Sequence, residues 1–348
     1  MAAALPERLS DLGEWELLRR LAAFAPPGQL EDDAAVLQDS SGRPLVVNTD
    51  VLVEGLHFSD ATMGPWDVGW RATAANLSDL AAMGCRSVVG LTVGLVAPGS
   101  TPWPWVEEVY RGLSAALARY GGTLLGGDCS GGAQRLLAIT ALGHLGRGAI
   151  QRRDGRPGDW LVSSGLHGLS RLGLALLREE LPLEQRSSLP AELQQRAIAA
   201  HRRPQPRFDA VAALEASQPA ELPWRVGGTD SSDGLVAAVA AIARASGCIA
   251  LLERERLPLA PAMAPWPHGE RWCLAGGEDF ELVLALEPAW AEALLSQLPG
   301  AGRIGCLEAG PGPEEGLVRW QGSAEPLPED SGGFCHFQNQ KKAAPKGG

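Results

Sequence analysis

Residues 45–58 read LVVNTDVLVEGLHF. Leucine and valine carry the run, Asp50 interrupts it, the apolar pattern resumes, and Glu54, Gly55 and His57 follow. The composition is that of a buried strand. A strand built only for burial would not hold a carboxylate at its middle, because an unpaired charge is costly to remove from water. One candidate explanation is that Asp50 is a metal ligand delivered by a rigid strand.

The habit recurs outward from this stretch. Asp32 and Asp33 precede AAVL, Asp79 sits in ANLSDLAAMG (75–84), and Asp128 closes TLLGGD (123–128). In the second half Asp230 and Asp233 lie in GTDSSDGL (228–235), and Glu278 and Asp279 in LAGGEDFEL (274–282). Aspartates gathered from loop mouths, with few histidines and no paired cysteines, suit Mg²⁺ or another hard cation rather than zinc. Each residue alone has a plainer explanation. Asp32 or Asp33 fits a turn, Asp79 fits a solvated or capping position, and Ser232 with Asp233 fits an N-cap on the apolar helix that follows. His57 alone fits a structural role, and Glu278–Asp279 fits a turn into a strand. The number of such turns, not any one of them, points to a site.

The totals narrow the chemistry. A chain of 348 residues, 45% hydrophobic and 20% charged, suggests two globular domains. A formal charge of −11 without a basic stripe argues against nucleic acid as a partner. Six scattered cysteines without a CxxC pair argue against a zinc ribbon or a disulfide scaffold. The amphipathic, acidic N-terminus is unlike a signal peptide, and no apolar run approaches the ~18 residues of a membrane helix. These features predict a soluble cytoplasmic protein. The only lysines are Lys341, Lys342 and Lys346, in the tail QNQKKAAPKGG. Phosphate recognition by a P-loop or kinase lysine is thereby excluded, and arginines, backbone N–H groups and cations must supply the countercharge.

Periodicity predicts helices near 7–25, 66–83, 104–120, 168–180 and 288–298, and one from Ser232 to about 246. Strands are expected at 34–37, 44–50, 88–96, 123–127, 136–145, 159–165, near 230, and at 248–253, 280–286, 302–307 and 316–320. A loop-rich and helical stretch holds HRRPQPR (201–207). The polar, Gly- and Pro-rich segment 146–159 suggests a boundary. It divides an α/β domain over 1–150 from an α+β domain over 151–337, with a disordered tail at 338–348. GAGRIG (300–305) fits a dinucleotide fingerprint in letters only, since it lies between a helix and a strand, and it reads as a loop.

In order and spacing, EDDAAVL, NTDVLVEGLHF, ANLSDLAAMG, LLGGD, SSGLHGLSRLGL, HRRPQPR, SSDGL and AGGEDFEL resemble the thiamine-monophosphate kinases of the aminoimidazole-ribonucleotide-synthetase-like superfamily. The likeness runs from about residue 10 to about residue 337. It implies a two-domain fold whose N-terminal strands form a barrel across a homodimer, and ATP-dependent phosphorylation of thiamine monophosphate to thiamine diphosphate. It implies several Mg²⁺ ions at Asp33, Asn48, Thr49, Asp50, Asp79, Asp128, Asp230 and Asp233. ATP contacts would come from Gly127, Asp128, Arg152 and Ser232, and thiamine-phosphate contacts from His57, Glu278 and Phe334. No covalent nucleophile is expected. The family places Gly where Glu31 stands here, so backbone strain is expected before the paired aspartates. Asn48 stands where the family carries Ser. Selenophosphate synthetases, which carry a reactive cysteine or selenocysteine near the N-terminus, fit less well because the first cysteine here is Cys85, and the hydrogenase-maturation relatives, which end in a reactive cysteine, fit less well because this chain ends in KAAPKGG.

Overall fold

The computed structural model of the chain describes residues 12, 14–38, 42, 44–266, 268–310, 318–323 and 325–327. After a short helix α1 (Glu14–Leu21), the first half runs β1 (Ala35–Gln38), β2 (Pro44–Val53), α2 (Pro65–Ala82), β3 (Cys85–Ala97), α3 (Trp103–Tyr120), β4 (Thr123–Gly131) and β5 (Leu136–Leu145). The strands form one sheet in the order β1-β2-β5-β3-β4. The β3–β4 pair is parallel, as the α3 crossover requires, and the others are antiparallel. One face packs on α2 and α3 through Val46, Leu52, Leu77, Leu80, Leu91, Val93, Leu113 and Ile139. The two helices approach backbone to backbone. A Cβ on Gly69 would lie 1.8 Å from the Val109 carbonyl oxygen, and one on Gly112 1.9 Å from that of Trp66. Any larger residue at either position would drive the helices apart.

The second half continues with β6 (Trp160–Ser163), α4 (Leu169–Leu177), α5 (Leu183–Ser188), α6 (Ala191–Arg202), α7 (Phe208–Ala216), β7 (Gly227–Asp230), α8 (Leu235–Ala245) and β8 (Cys248–Leu252). It ends with α9 (Gly269–Ala275), β9 (Leu282–Leu286), α10 (Pro288–Gln297), β10 (Gly302–Ala309) and β11 (Val318–Trp320). These strands make a second sheet in the order β11-β8-β10-β6-β9-β7, antiparallel except for β11–β8. Both of its faces are covered. Val283 and Ala285 of β9 pack toward α8, and Leu282, Leu284 and Leu286 toward α7 and α10. A strand buried on both faces needs a continuous apolar run, which LVLAL supplies. The expected mixing of α and β in both halves is present, and among the described residues neither sheet closes on itself.

Several elements differ from expectation. β2 runs on to Val53, so Asp50 stands inside the strand. β4 extends through the glycines to Gly131. β9 starts at Leu282, later than the apolar pattern suggests, because Glu278 (φ 59°) and Phe280 (φ 54°) are left-handed. Ser232 and Asp233 do not cap α8; its N-cap is Gly234, at φ 110°, with no side-chain cap. Glu31 is not left-handed, so the strain expected there is absent. The strand expected at 302–307 is present as β10, which takes in the end of GAGRIG with an irregularity between Arg303 and Gly305. Helices α5 and α9 were not anticipated.

Candidate active site

Strand β2, helix α2, the turn before β1 and the end of β7 bring their carboxylates together. Strand alternation sends Asn48 and Asp50 to the α2 side of the sheet, where Asn48 Nδ2 donates to Asp79 Oδ2 at 2.6 Å and the Asp50 amide donates to Asn76 Oδ1 at 3.2 Å. Asn76 is itself fixed by donating to the Ala72 carbonyl at 2.9 Å. From the second half, Asp230 Oδ2 accepts from Ser78 Oγ at 2.6 Å. Asp33 Oδ1 accepts from Thr229 Oγ1 at 2.8 Å and pairs with the Arg152 guanidinium. Ligand atoms of Asp33, Asp79 and Asp230 all lie within 4.8 Å of one another.

So many carboxylates in one buried place disfavour one another's ionisation, on top of the cost of burial. Burial, then the charges of Asp233 and Asp33, pushes the Asp50 carboxyl up to about 6. Burial and Asp33 push Asp230 up to about 7, against the Ser78 hydrogen bond. Asp79 is raised well above the ordinary range by burial and by Asp50, Asp230 and Asp33. Asp33 is raised by burial although Arg152 opposes it. Buried Asp33 Oδ2 and Asn48 Oδ1 have no hydrogen-bond partner. Orphaned oxygens facing crowded carboxylates are what a hard cation satisfies, so this donor set fits Mg²⁺.

Arg152 anchors the rim. Its amide donates to Asp32 Oδ1 at 2.8 Å, its Nε and Nη2 reach Thr229 Oγ1 at 3.3 and 3.2 Å, and its Nη1 reaches the Glu31 carbonyl at only 3.4 Å. Ser232 connects two loops. Its amide contacts Asp230 Oδ1 at 3.4 Å, and its carbonyl accepts from the Glu278 amide at 2.6 Å. Glu278 pairs with Arg71, which is only 2% exposed, while the glutamate side chain is 34% exposed. Burial opposes ionisation of Glu278, but Arg71, aided by His201 and His57, holds its carboxyl below the usual range. His57 sits in the turn after β2, its Nδ1 accepting from the Val53 amide at 2.9 Å. The neighbouring Asp279 faces elsewhere, accepting from the Gly168 and Ser170 amides at 2.7 and 2.9 Å at the start of α4.

Asp33, Asn48, Asp50, Asp79, Asp230 and Asp233 thus form one cluster, bordered by Arg152 and Ser232 and linked to Glu278 and His57. Thr49 points to the other face of the sheet, its hydroxyl 2.8 Å from that of Thr140. Gly127 and Asp128 lie on the edge strand β4, opposite Val93 and Gly94. Alternation places Asp128 on the face of Thr49, three strands from β2 and so about 14 Å across the sheet. Phe334 lies outside the described residues. Arg71, Asn76, Ser78 and Thr229 are buried partners of the cluster that the sequence reading passed over. Ser78 had a faint signal, one residue before Asp79 in a helix otherwise lined with alanine.

Residues 31–145 match the family model for the AIR synthase related protein, N-terminal domain. The thiamine-monophosphate kinase of Prochlorococcus marinus is 49% identical over 308 residues, covering 88% of this chain and 91% of the relative. That of Synechococcus elongatus is also 49% identical, covering 83% and 86%. A solved structure described as AaThiL complexed with AMPPCP and TMP superposes with a TM-score of 0.80 at 28% identity, covering 96% of this chain and all of that one (100%). The chain belongs to the thiamine-monophosphate kinase family.

Proposed function

We propose that the protein transfers the terminal phosphoryl group of ATP to thiamine monophosphate, giving thiamine diphosphate, by direct in-line displacement. The observation that carries this reading is the convergence of Asp33, Asp50 and Asp79 with Asp230, the orphaned Asp33 Oδ2 beside them. The binding of AMPPCP and TMP by a relative of the same fold supports the choice of ligands, AMPPCP being an ATP analogue. Asp33, Asn48, Asp50, Asp79, Asp230 and Asp233 would hold Mg²⁺; the Thr49 side chain, on the opposite face of the sheet, would not join them, and Asp128 would do so only from a second copy. Bound there, the metal supplies positive charge between two phosphates that otherwise repel.

The chain's own groups align the reactants. The acceptor phosphate is ionised near neutral pH, its second pKa being ~6, so no side chain need remove a proton. Arg152 spends one edge on Asp33 and Thr229, and its Nη1, with a single 3.4 Å contact, is left to donate to the ATP phosphates beside Ser232, with Gly127 and Asp128 joining only from a second copy. Glu278, His57 and Phe334 would receive the thiamine end.

The reading includes a homodimer. Every residue of β4 is exposed along an unpaired edge, with Leu124 at 45% and Leu125 at 50% exposure. An apolar edge of this kind invites pairing, and a second copy that closes the sheets into a barrel would cover it. The ligand roles of Gly127 and Asp128 are tied to that assembly. The reading also keeps the division at 150/151, supported by the first sheet ending at Leu145 and the second starting at Trp160. Among the described residues no helix is long and apolar enough to cross a membrane.

The test is formation of thiamine diphosphate by purified protein with ATP and Mg²⁺, in parallel with Asp50→Asn. The variant should keep its fold and lose most turnover. Full activity of Asp50→Asn across a Mg²⁺ titration would reject the metal role.

A further inference from the structure

HRRPQPR (201–207) joins α6 to α7, and none of its side chains belongs to the ligand set above. Four of its residues in a row nevertheless grip α2 or the turn before it. The His201 carbonyl accepts from Arg71 Nη1. Arg202 Nε donates to the Thr62 carbonyl at 2.7 Å. Arg203 Nε donates to Asp67 at 2.6 Å and its guanidinium stands 4.6 Å from the Trp66 ring centre. The Pro204 carbonyl accepts from Trp70 Nε1 at 3.0 Å. Pro204 and Pro206 have fixed φ angles and no N–H to bond elsewhere, which keeps the segment open with its carbonyls free for α2.

The gripped helix places Arg71, whose second Nη reaches the Glu278 carboxylate. Glu278 is thus fixed from both ends. Its backbone is left-handed and its amide is bound to the Ser232 carbonyl, while its side chain pairs with a buried guanidinium that is itself bound to the His201 carbonyl. A left-handed glutamate persists only where its surroundings over-determine it. A planar fork is needed to serve a carbonyl and a carboxylate together; a lysine offers one point charge.

We propose that Arg71 is the positioning residue for the phosphate-acceptor half of the cleft. Docking of 201–204 on α2 would fix Arg71, and Arg71 would aim Glu278 at the acceptor. The inference rests on the reading of Glu278 as an acceptor contact.

Steady-state kinetics and melting temperatures of Glu278→Gln, Arg71→Met, Arg71→Lys and the double variant Arg71→Met/Glu278→Gln test it. Glu278→Gln should raise the KM for thiamine monophosphate; if it does not, the acceptor-site reading itself fails. Arg71→Met should raise that KM by about tenfold or more, the loss expected for a hydrogen bond to a charged group, with the KM for ATP within about twofold. Arg71→Lys should recover only part of the loss. In the Glu278→Gln background the Arg71→Met change should add less than about threefold, because its target is gone. A role in stability alone predicts equal damage to both KM values and full additivity, and either result, with Glu278→Gln still impaired, overturns the proposal. Should Arg71→Met fail to fold, Arg203→Ala loosens the clasp from the surface. It should raise the KM for thiamine monophosphate selectively, and an unchanged value would count against the clasp.

Discussion

Without a divalent cation, the carboxylate cluster should make the fold less stable as pH rises through neutrality. Burial raises Asp230 from 3.8 to about 7 and Asp50 from 3.8 to about 6. Between these limits the folded state holds protons that the unfolded chain has released, so stability falls as pH rises. The favourable contribution is complete below about pH 4, where both states are protonated, and is lost as the pH passes 6 to 7. Taken singly, three units for Asp230 correspond to ~4 kcal/mol and two units for Asp50 to ~3 kcal/mol. The sites interact, so the observed loss is several kcal/mol rather than the sum. Melting in EDTA from pH 4.5 to 7.5 should therefore show a fall on the order of 10 °C. Magnesium should reverse it at pH 7.5, by ~2.7 kcal/mol at a hundredfold excess over its Kd, and hardly at all at pH 4.5. Asp230→Asn should flatten the pH slope and weaken the Mg²⁺ effect, while its amide oxygen can still accept from Ser78 Oγ. A melting temperature independent of pH in EDTA, or an undiminished slope in Asp230→Asn, would refute the view that these carboxylates are stored in a strained, cation-seeking state.

Two further perturbations probe the edges of the site. Arg152→Ala should lower kcat/KM for ATP by an equivalent of ~1–3 kcal/mol, as for a lost charge-assisted hydrogen bond; wild-type kinetics would leave Arg152 a partner of Asp33 only. Leu125→Asp should convert a dimer to a monomer in sedimentation with the fold retained, and an unchanged sedimentation coefficient would move the interface off β4.

What the sequence made legible follows from which signals are local. Asp50 was visible because a charge inside an apolar strand has few innocent explanations, and the structure sets it among other carboxylates. β9 was visible in outline because a run buried on both faces is apolar at every position. Its first residues were misassigned because Glu278 and Phe280 adopt left-handed φ, and the contacts that hold Glu278 come from far along the chain. One partner is Arg71, 207 positions earlier in the chain (278 − 71). Asn76 and Ser78 escaped notice for a related reason. Small polar residues on a helix full of alanine look like tolerated filler, and only the facing strand and β7 give them work. The α8 cap was misread because Ser232 and Asp233 have the right chemistry for a cap, yet Gly234 takes that position and leaves both for the cluster.

That last substitution of roles matters for how the two halves of the reaction are held together. A serine or aspartate used as an N-cap would spend its side chain on the helix. With Gly234 at the cap, the turn 231–233 stays outside α8, and Ser232 can contact Asp230 through its amide and Glu278 through its carbonyl. Ser231 adds a third tie, its hydroxyl accepting from the Glu281 amide at 3.2 Å. The cation-seeking cluster and the loop assigned to the acceptor therefore share one rigid turn. The proposed in-line transfer would tolerate little misplacement of donor against acceptor, and a common turn would fix that relation through a few backbone bonds rather than through the packing of whole domains.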